Sequence, residues 1–567
     1  MHDSIIITTP ISSQEEYYDL GSFKWPIHTT SNDAQIWFNR GLTWSYAFNH
    51  EESARCFEQA IAHDADCSMA YWGLAYCLGP NYNKPWEFFD KAELESILAR
   101  GHRAVQQARA SATTAVERSL AHALQFRYPQ IQAEDAKECT PWNKEYADAM
   151  RGVYASFPED LDVAALFADA LMNLTPWALW DIRTGEPAEG AQTLEVKAVL
   201  DRALALEGGN EHPGLLHLYI HLMEMSNEPE IAMPAADHLR GLIPDAGHLN
   251  HMPTHLDILC GDYRRAIASN SEAIRADERY LARAGALNFY SLYRSHNYHF
   301  RIYAAMFAGQ SKIAIDTIAQ LEASLPEELL RIKSPPMADW LEGFLSMRVH
   351  ALIRFGRWTD IIAMQLPSDP KLYCVTTAMI HYAKGVALAA SGKIEEAEKE
   401  QNHFVDTVQR VAPTRMLFNN TCLDILAIAK EMLAGELEYR RGNIDAAFKH
   451  LLGSIALDDA LPYDEPWGWM QPTRHAYGAL LLEQGYIEKA LDVYSADLGM
   501  DDTLPRALQH HNNVWALHGY HECLVKLGRE AEARIIRQQL RMATAIADVP
   551  VKSSCFCRLS VDYRISK

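Results

Sequence analysis

The chain has 567 residues, more than the roughly 100 to 200 of one ordinary domain, so a single small core is excluded and several domains or a repeat array are expected. Hydrophobic residues make up 48% and charged residues 22%, which excludes a disordered chain. Lys and Arg number 52 against 74 Asp and Glu, a formal net charge of −22, which repels phosphate backbones and anionic lipid and excludes nucleic acid and a membrane surface as the main partner.

In chain order, Met1-His2-Asp3-Ser4-Ile5-Ile6-Ile7 lacks the basic start and long apolar core of an export signal. No run of 18 apolar residues follows, so a soluble cytoplasmic protein is expected. Residues 1–30 read as an N-terminal tail. Residues 31–211 read as irregular helical hairpins, with Tyr146–Tyr154 and Leu161–Leu174 showing helical apolar spacing on either side of the turn Phe157-Pro158-Glu159-Asp160. Trp72, Tyr76, Tyr82 and Trp86 surround Gly79-Pro80, and Pro176-Trp177 with Trp180 closes a later hairpin; such aromatics fill gaps between helices or line a substrate site. Residues 212–310 form a histidine-rich segment, 311–548 further hairpins and 549–567 a C-terminal tail. The ten cysteines are too sparse for a disulfide scaffold and are expected to be reduced; Cys555 and Cys557, with no second Cys pair or His beside them, read as part of the tail rather than a metal clip.

A fixed spacing recurs in the second half. Gly261 and Ala266, Gly309 and Ala314, Gly392 and Ala397, Gly442 and Ala447, Gly485 and Ala490, and Gly528 and Ala533 each pair a helix-ending residue with a small residue five positions later. Gly356 with Ile361 and Asn227 with Ala232 fit the frame more loosely. The glycine lets one helix stop and turn tightly, and the alanine lets the next pack close, so each unit is a helical hairpin. Period-two alternation is scarce, and no G-x-G-x-x-G, Walker lysine loop, G-x-S-x-G or H-E-x-x-H occurs, which leaves standard catalytic folds unsupported.

The units resemble the tetratricopeptide repeat, best in Gly41–Ala60, Ala383–Glu400 and Gly478–Tyr494. The resemblance implies an all-α solenoid of helical hairpins. The spacing departs from the family's 34 residues: successive turn residues from Asn227 to Gly528 lie 34, 48, 47, 36, 50, 43 and 43 apart, so most repeats are elongated. Tyr46–Glu52, Gly79–Asn83, Leu171–Leu174, His248–His255 and His296–His299 are also similar to motifs of bacterial and fungal tetratricopeptide-containing proteins. That likeness implies a fold, and fungal members among secondary-metabolite pathway proteins suggest oxidative tailoring.

Seven of the 24 histidines fall between His212 and His255, where a uniform spread would place about two. With each turn residue numbered 15, His217, His251 and His299 share position 5, His221 and His255 share position 9, and His248 and His296 share position 2. Offsets of three and four put these positions on one helical face, and the family resemblance implies that this face lines the concave groove. The expected metal ligands are His217, His221, His251, His255 and His299, completed by His248 or His296, with Glu224 one turn beyond His221 able to add a carboxylate. Imidazole without thiolate favours copper or zinc, with iron behind them. His475 and His518 also fall at position 5 but read as packing residues, as does His50. Two functions are therefore carried forward. One is a metal-dependent oxidoreductase or hydrolase acting on a small molecule in the groove; the alternative is a non-catalytic scaffold that grips a peptide or partner protein there.

Overall fold

The computed structural model describes residues 9–559 and is helical almost throughout. Its strands among the described residues are the short antiparallel pair Met416–Leu417 and Asn420–Thr421. The protein is an all-α helical repeat. By contacts it divides into two compact units, one running to Leu256 and including Glu272–Tyr290, the other comprising Asp257–Ser271 and the chain from Ser291.

The first unit opens with the hairpin Asn32–Tyr46 and His50–His63, followed by Ser68–Leu78 and Lys91–Ser111. Local sequence starts these helices: the Ser31 hydroxyl accepts from the Ala34 amide, and Asp90 with Glu93 and Thr114 with Glu117 form reciprocal capping boxes. Small residues then set how closely they approach. A Cβ built on Gly41 or Gly73 would come within 2.9 or 2.2 Å of the Phe57 ring, so both glycines make room for that one side chain. Further along stand Ala136–Ser156 with Leu161–Met172, then Thr193–Leu204 with Pro213–Met223. Residues 9–31 are non-helical apart from turns but tied down: Tyr17 donates to Glu52 at 2.8 Å, and the Trp37 indole donates to the Ile11 carbonyl at 2.9 Å.

In the second unit the hairpins are regular: Ser291–Phe307 with Ser311–Ser324, Cys374–Ala390 with Ile394–Val408, Cys422–Arg440 with Ile444–Asp459, Thr473–Glu483 with Ile487–Asp497, and Val514–Lys526 with Glu530–Thr544. Gly261, Gly309, Gly356, Gly392, Gly442, Gly485 and Gly528 all have φ between +63° and +85°, the left-handed conformation that the repeat frame assigned to them. Asn227 is not among the positive-φ residues; there the helix end is closed by the Ser226 hydroxyl donating to the Met223 carbonyl at 2.7 Å. Between Gly442 and Gly485 the extra length goes into a buried connection. The loop from Leu461 to Gln471 is held by Asp458, whose carboxylate accepts from the Trp467 indole and from the Thr473 amide and hydroxyl at 3.1 to 3.2 Å. Eight cysteines are free as expected; Cys555 and Cys557 differ, being joined by a disulfide.

Candidate metal centre

The Pro213–Met223 helix is buried on every side, and Pro213 at its first turn fits because the missing N–H would have no helical partner there. His212 caps it, accepting from the Leu215 amide at 3.2 Å. His217 and His221, four residues apart, share one face. The His217 Nδ1 donates at 2.6 Å to the carbonyl of Tyr46, the last residue of its helix and therefore one whose carbonyl lacks a helical donor. Because a carbonyl only accepts, this bond fixes the His217 tautomer: Nδ1 carries the proton and Nε2 the lone pair. The ring is 1% exposed, Nε2 has no hydrogen-bond partner among the described residues, and burial pushes its pKa down to about 3.

Glu224 performs the same service twice. One carboxylate oxygen accepts from His221 Nδ1 at 2.7 Å and the other from His255 Nδ1, so both rings present Nε2 as an acceptor. The pattern extends along the chain. His255 Nε2 faces His251 Nε2 at 2.7 Å, which makes His251 the donor, and Thr254 then donates to His251 Nδ1 at 3.3 Å. Thr254, His251, His255 and Glu224 form one directed chain of hydrogen bonds. His248 is positioned through its backbone: its amide donates to the Tyr290 hydroxyl at 3.3 Å, and that hydroxyl donates to Asp277 at 3.0 Å. Neighbouring imidazoles and burial together hold His248 well below the ordinary histidine range.

Candidate ligand atoms of His217, His221 and His248 lie within 4.8 Å of one another, and those of His221, Glu224 and His255 do so as well. An ion bonded at about 2 Å holds its ligand atoms about 3 to 4 Å apart, so sub-ångström shifts of each ring close the first set on a cation. Three aromatic rings roof it. Phe48 sits 4.4 Å from His217, 5.4 Å from His248 and 5.9 Å from His221 between ring centroids, Tyr82 is 4.8 Å from His221, and Trp177 is 5.3 Å from Tyr82. Phe48 and Trp177 hold φ of 54° and 60°, a conformation that bulky residues rarely take and that costs about 1 to 3 kcal/mol each where it persists.

The structure thus gathers His217, His221, Glu224, His248, His251 and His255 in the first unit. His296 and His299 belong to the second. His296 lies edge-on to Phe300 and Phe418, and His299 packs against Phe344 and Phe418 and joins no group of three candidate ligands among the described residues. Of the remaining clustered histidines, His212 pairs with Asp162 at 3.2 Å and His238 faces solvent. His50 is half-buried beside Asn81. Sequence reasoning singled out Tyr82 and Trp177 but missed Phe48 and Phe418; their left-handed backbone has no sequence signal outside glycine and asparagine.

No family model matches the chain, and no curated protein matches it. Among solved structures, the chain is similar to the Cut9–Hcn1 hetero-tetramer of the APC/C, at 12% identity over 91% of this chain and 88% of that one, with a TM-score of 0.30. Yeast Tom70 is similar at 10% identity over 90% of this chain and 93% of that one, also with a TM-score of 0.30. Likeness at this level adds no argument about the site. Among the described residues no helix is long and apolar enough to cross a membrane.

Proposed function

We propose that the first unit binds one transition-metal ion through His217, His221 and His248 and uses it on a small molecule. The observation that carries this reading is the fixing of Nδ1 on His217 by a carbonyl and on His221 by a carboxylate, the arrangement by which proteins orient imidazole ligands and raise their basicity. Three protein ligands leave a position of a tetrahedral ion open, as catalytic sites do and structural ones do not. An ion there would activate water or polarise a substrate oxygen, so the activity is that of a metal-dependent hydrolase or oxidoreductase. Nitrogen ligands without thiolate favour copper or zinc. The ligand side chains are at most 1% exposed, which favours a small molecule over a macromolecule as the substrate. The chain from Thr254 through His251 and His255 ends on Glu224, which also accepts from His221, so it would hold the His221 ring in place as a ligand.

The test is metal content of tag-free protein after equilibrium dialysis against copper(II) or zinc(II). Wild type should retain about one equivalent and the His217→Ala, His221→Ala variant almost none. Retention below about 0.2 equivalents by folded wild type would end this reading.

A further inference from the structure

Past the last helix of the second unit the chain runs without helix from 550 to 559, yet Ser553, Ser554, Cys557 and Arg558 are buried. It lies as a bent peptide, turned at 556–557, against residues from five different helices, and its contacts are those of a bound ligand. Two guanidinium groups read its main chain: Arg354 donates to the Ser554 carbonyl at 2.9 Å, and Arg440 donates to the Cys557 carbonyl. The Ser554 hydroxyl donates to the His475 carbonyl at 2.8 Å and meets the Tyr494 hydroxyl at 2.5 Å. Phe556 packs edge-on to Trp515, in space that Gly356 leaves open; a Cβ there would come within 2.7 Å of the Phe556 ring. Arg558 makes a two-pronged pair with Glu522 at 2.7 and 2.9 Å, both side chains 4% exposed, and the Leu559 amide donates to Glu483 at 3.1 Å. Beside it is a small cavity of about 40 Å³ lined by Arg354, Tyr382, Glu436, Gln471 and the Cys555–Cys557 pair.

A buried main chain must find partners for its carbonyls. Here two arginines serve carbonyls whatever the residue type, and the hydroxyl of Ser554, the ring of Phe556 and the guanidinium of Arg558 each meet a partner of their own. We propose that this wall is a peptide-binding groove whose resident occupant is the chain's own 553–559 segment. In trans it takes a peptide of the same bent form, with a small hydroxyl residue, an aromatic two positions on and an arginine two positions beyond that. Glu522 and Glu483 supply the charge that selects a basic peptide, in keeping with the −22 of the whole chain. The reading is independent of the metal centre, which lies in the other unit.

A segment tethered in cis competes at an effective concentration in the millimolar range, so the groove should look closed until the segment is released. The probe is a fluorescein-labelled synthetic peptide of residues 551–559 with the Cys555–Cys557 disulfide closed. The full chain carrying Arg558→Glu sets two carboxylates against each other and frees the groove. It should bind the probe at least about tenfold more tightly than full-length wild type, and a scrambled peptide should not bind. Hydrogen exchange on unaltered wild type gives a second measurement that needs no variant to fold: excess unlabelled peptide should strip protection from residues 553–559, and the scrambled peptide should leave it intact. Equal binding to wild type and Arg558→Glu, binding no better than the scramble, or unchanged exchange with saturating peptide would overturn the proposal.

Discussion

The two units each carry a buried histidine wall under an aromatic ring held in the left-handed conformation, Phe48 at φ 54° in the first and Phe418 at φ 48° in the second, yet the walls differ in what stands behind the imidazoles. In the first, His217 donates to a helix-end carbonyl and His221 and His255 donate to one carboxylate. In the second, both ring nitrogens of His299 and of His350 lack a hydrogen-bond partner among the described residues, and the rings pack on Phe344, Phe418 and Trp469. Both walls follow the same repeat register, so register places a histidine but does not make it a ligand. An acceptor at Nδ1 prepares a histidine for that role, because it leaves Nε2 with the lone pair.

The largest effect should therefore be an asymmetry between the walls. His217→Ala with His221→Ala should abolish copper or zinc retention, whereas His299→Ala with His350→Ala should leave about one equivalent bound, both read by metal analysis on protein with native circular dichroism. Equal losses from the two pairs would show that the acceptors are irrelevant. Next comes Glu224→Gln. The amide keeps the volume but has one acceptor oxygen for two donors, so either His221 or His255 must turn or change tautomer. Metal affinity should fall about 10- to 100-fold with little change in fold, measured by competition with a chromophoric chelator.

This contrast also marks how far the sequence could be read. The turn glycines announced themselves, because a left-handed helix end has few residue choices, and every glycine in the frame from Gly261 to Gly528 takes that conformation. The histidine stripe was visible for the same reason: fixed offsets from a turn translate into a face. Glu224 was legible as a residue one turn beyond His221, but its bond to His255 spans 31 residues and depends on packing. The Tyr46 carbonyl, 171 residues before His217, belongs to the main chain and has no side-chain identity to notice. His350 holds position 9 of the unit that ends at Gly356, the position of His221 and His255, but its neighbour Trp469 is brought beside it by a long non-helical loop that no repeat frame predicts.

Acid should expose the second wall. Burial alone holds His350 down to about 3, against about 6.5 for a histidine in the unfolded chain. Between those values the unfolded state binds the extra proton, so stability falls as pH falls, beginning near 6.5 and continuing toward 3. Lowering the pH from 8 to 5 should cost about 2 kcal/mol through this one residue. His475, brought down to about 4 by burial against the pull of Asp497, acts in the same direction. Urea unfolding at a series of pH values should give a shallower acid slope for His350→Leu than for wild type; identical slopes would mean that His350 is hydrated or partnered in solution.

The smallest effect is the sharpest comparison, because its sign should differ between the walls at neutral pH. Leucine is close to histidine in volume, so His350→Leu replaces two desolvated nitrogens that make no hydrogen bond with an apolar side chain suited to the ring of Trp469. It should raise unfolding stability by about 1 kcal/mol. The same change at His217 removes the donor to the Tyr46 carbonyl, which is left buried, and should cost about 1 to 3 kcal/mol even before any metal is added. Neither value needs the metal to be present, so the pair of measurements on metal-free protein isolates the contribution of the acceptor. A wall whose histidines are held by acceptors loses stability when one becomes leucine, and a wall whose histidines are merely enclosed gains it.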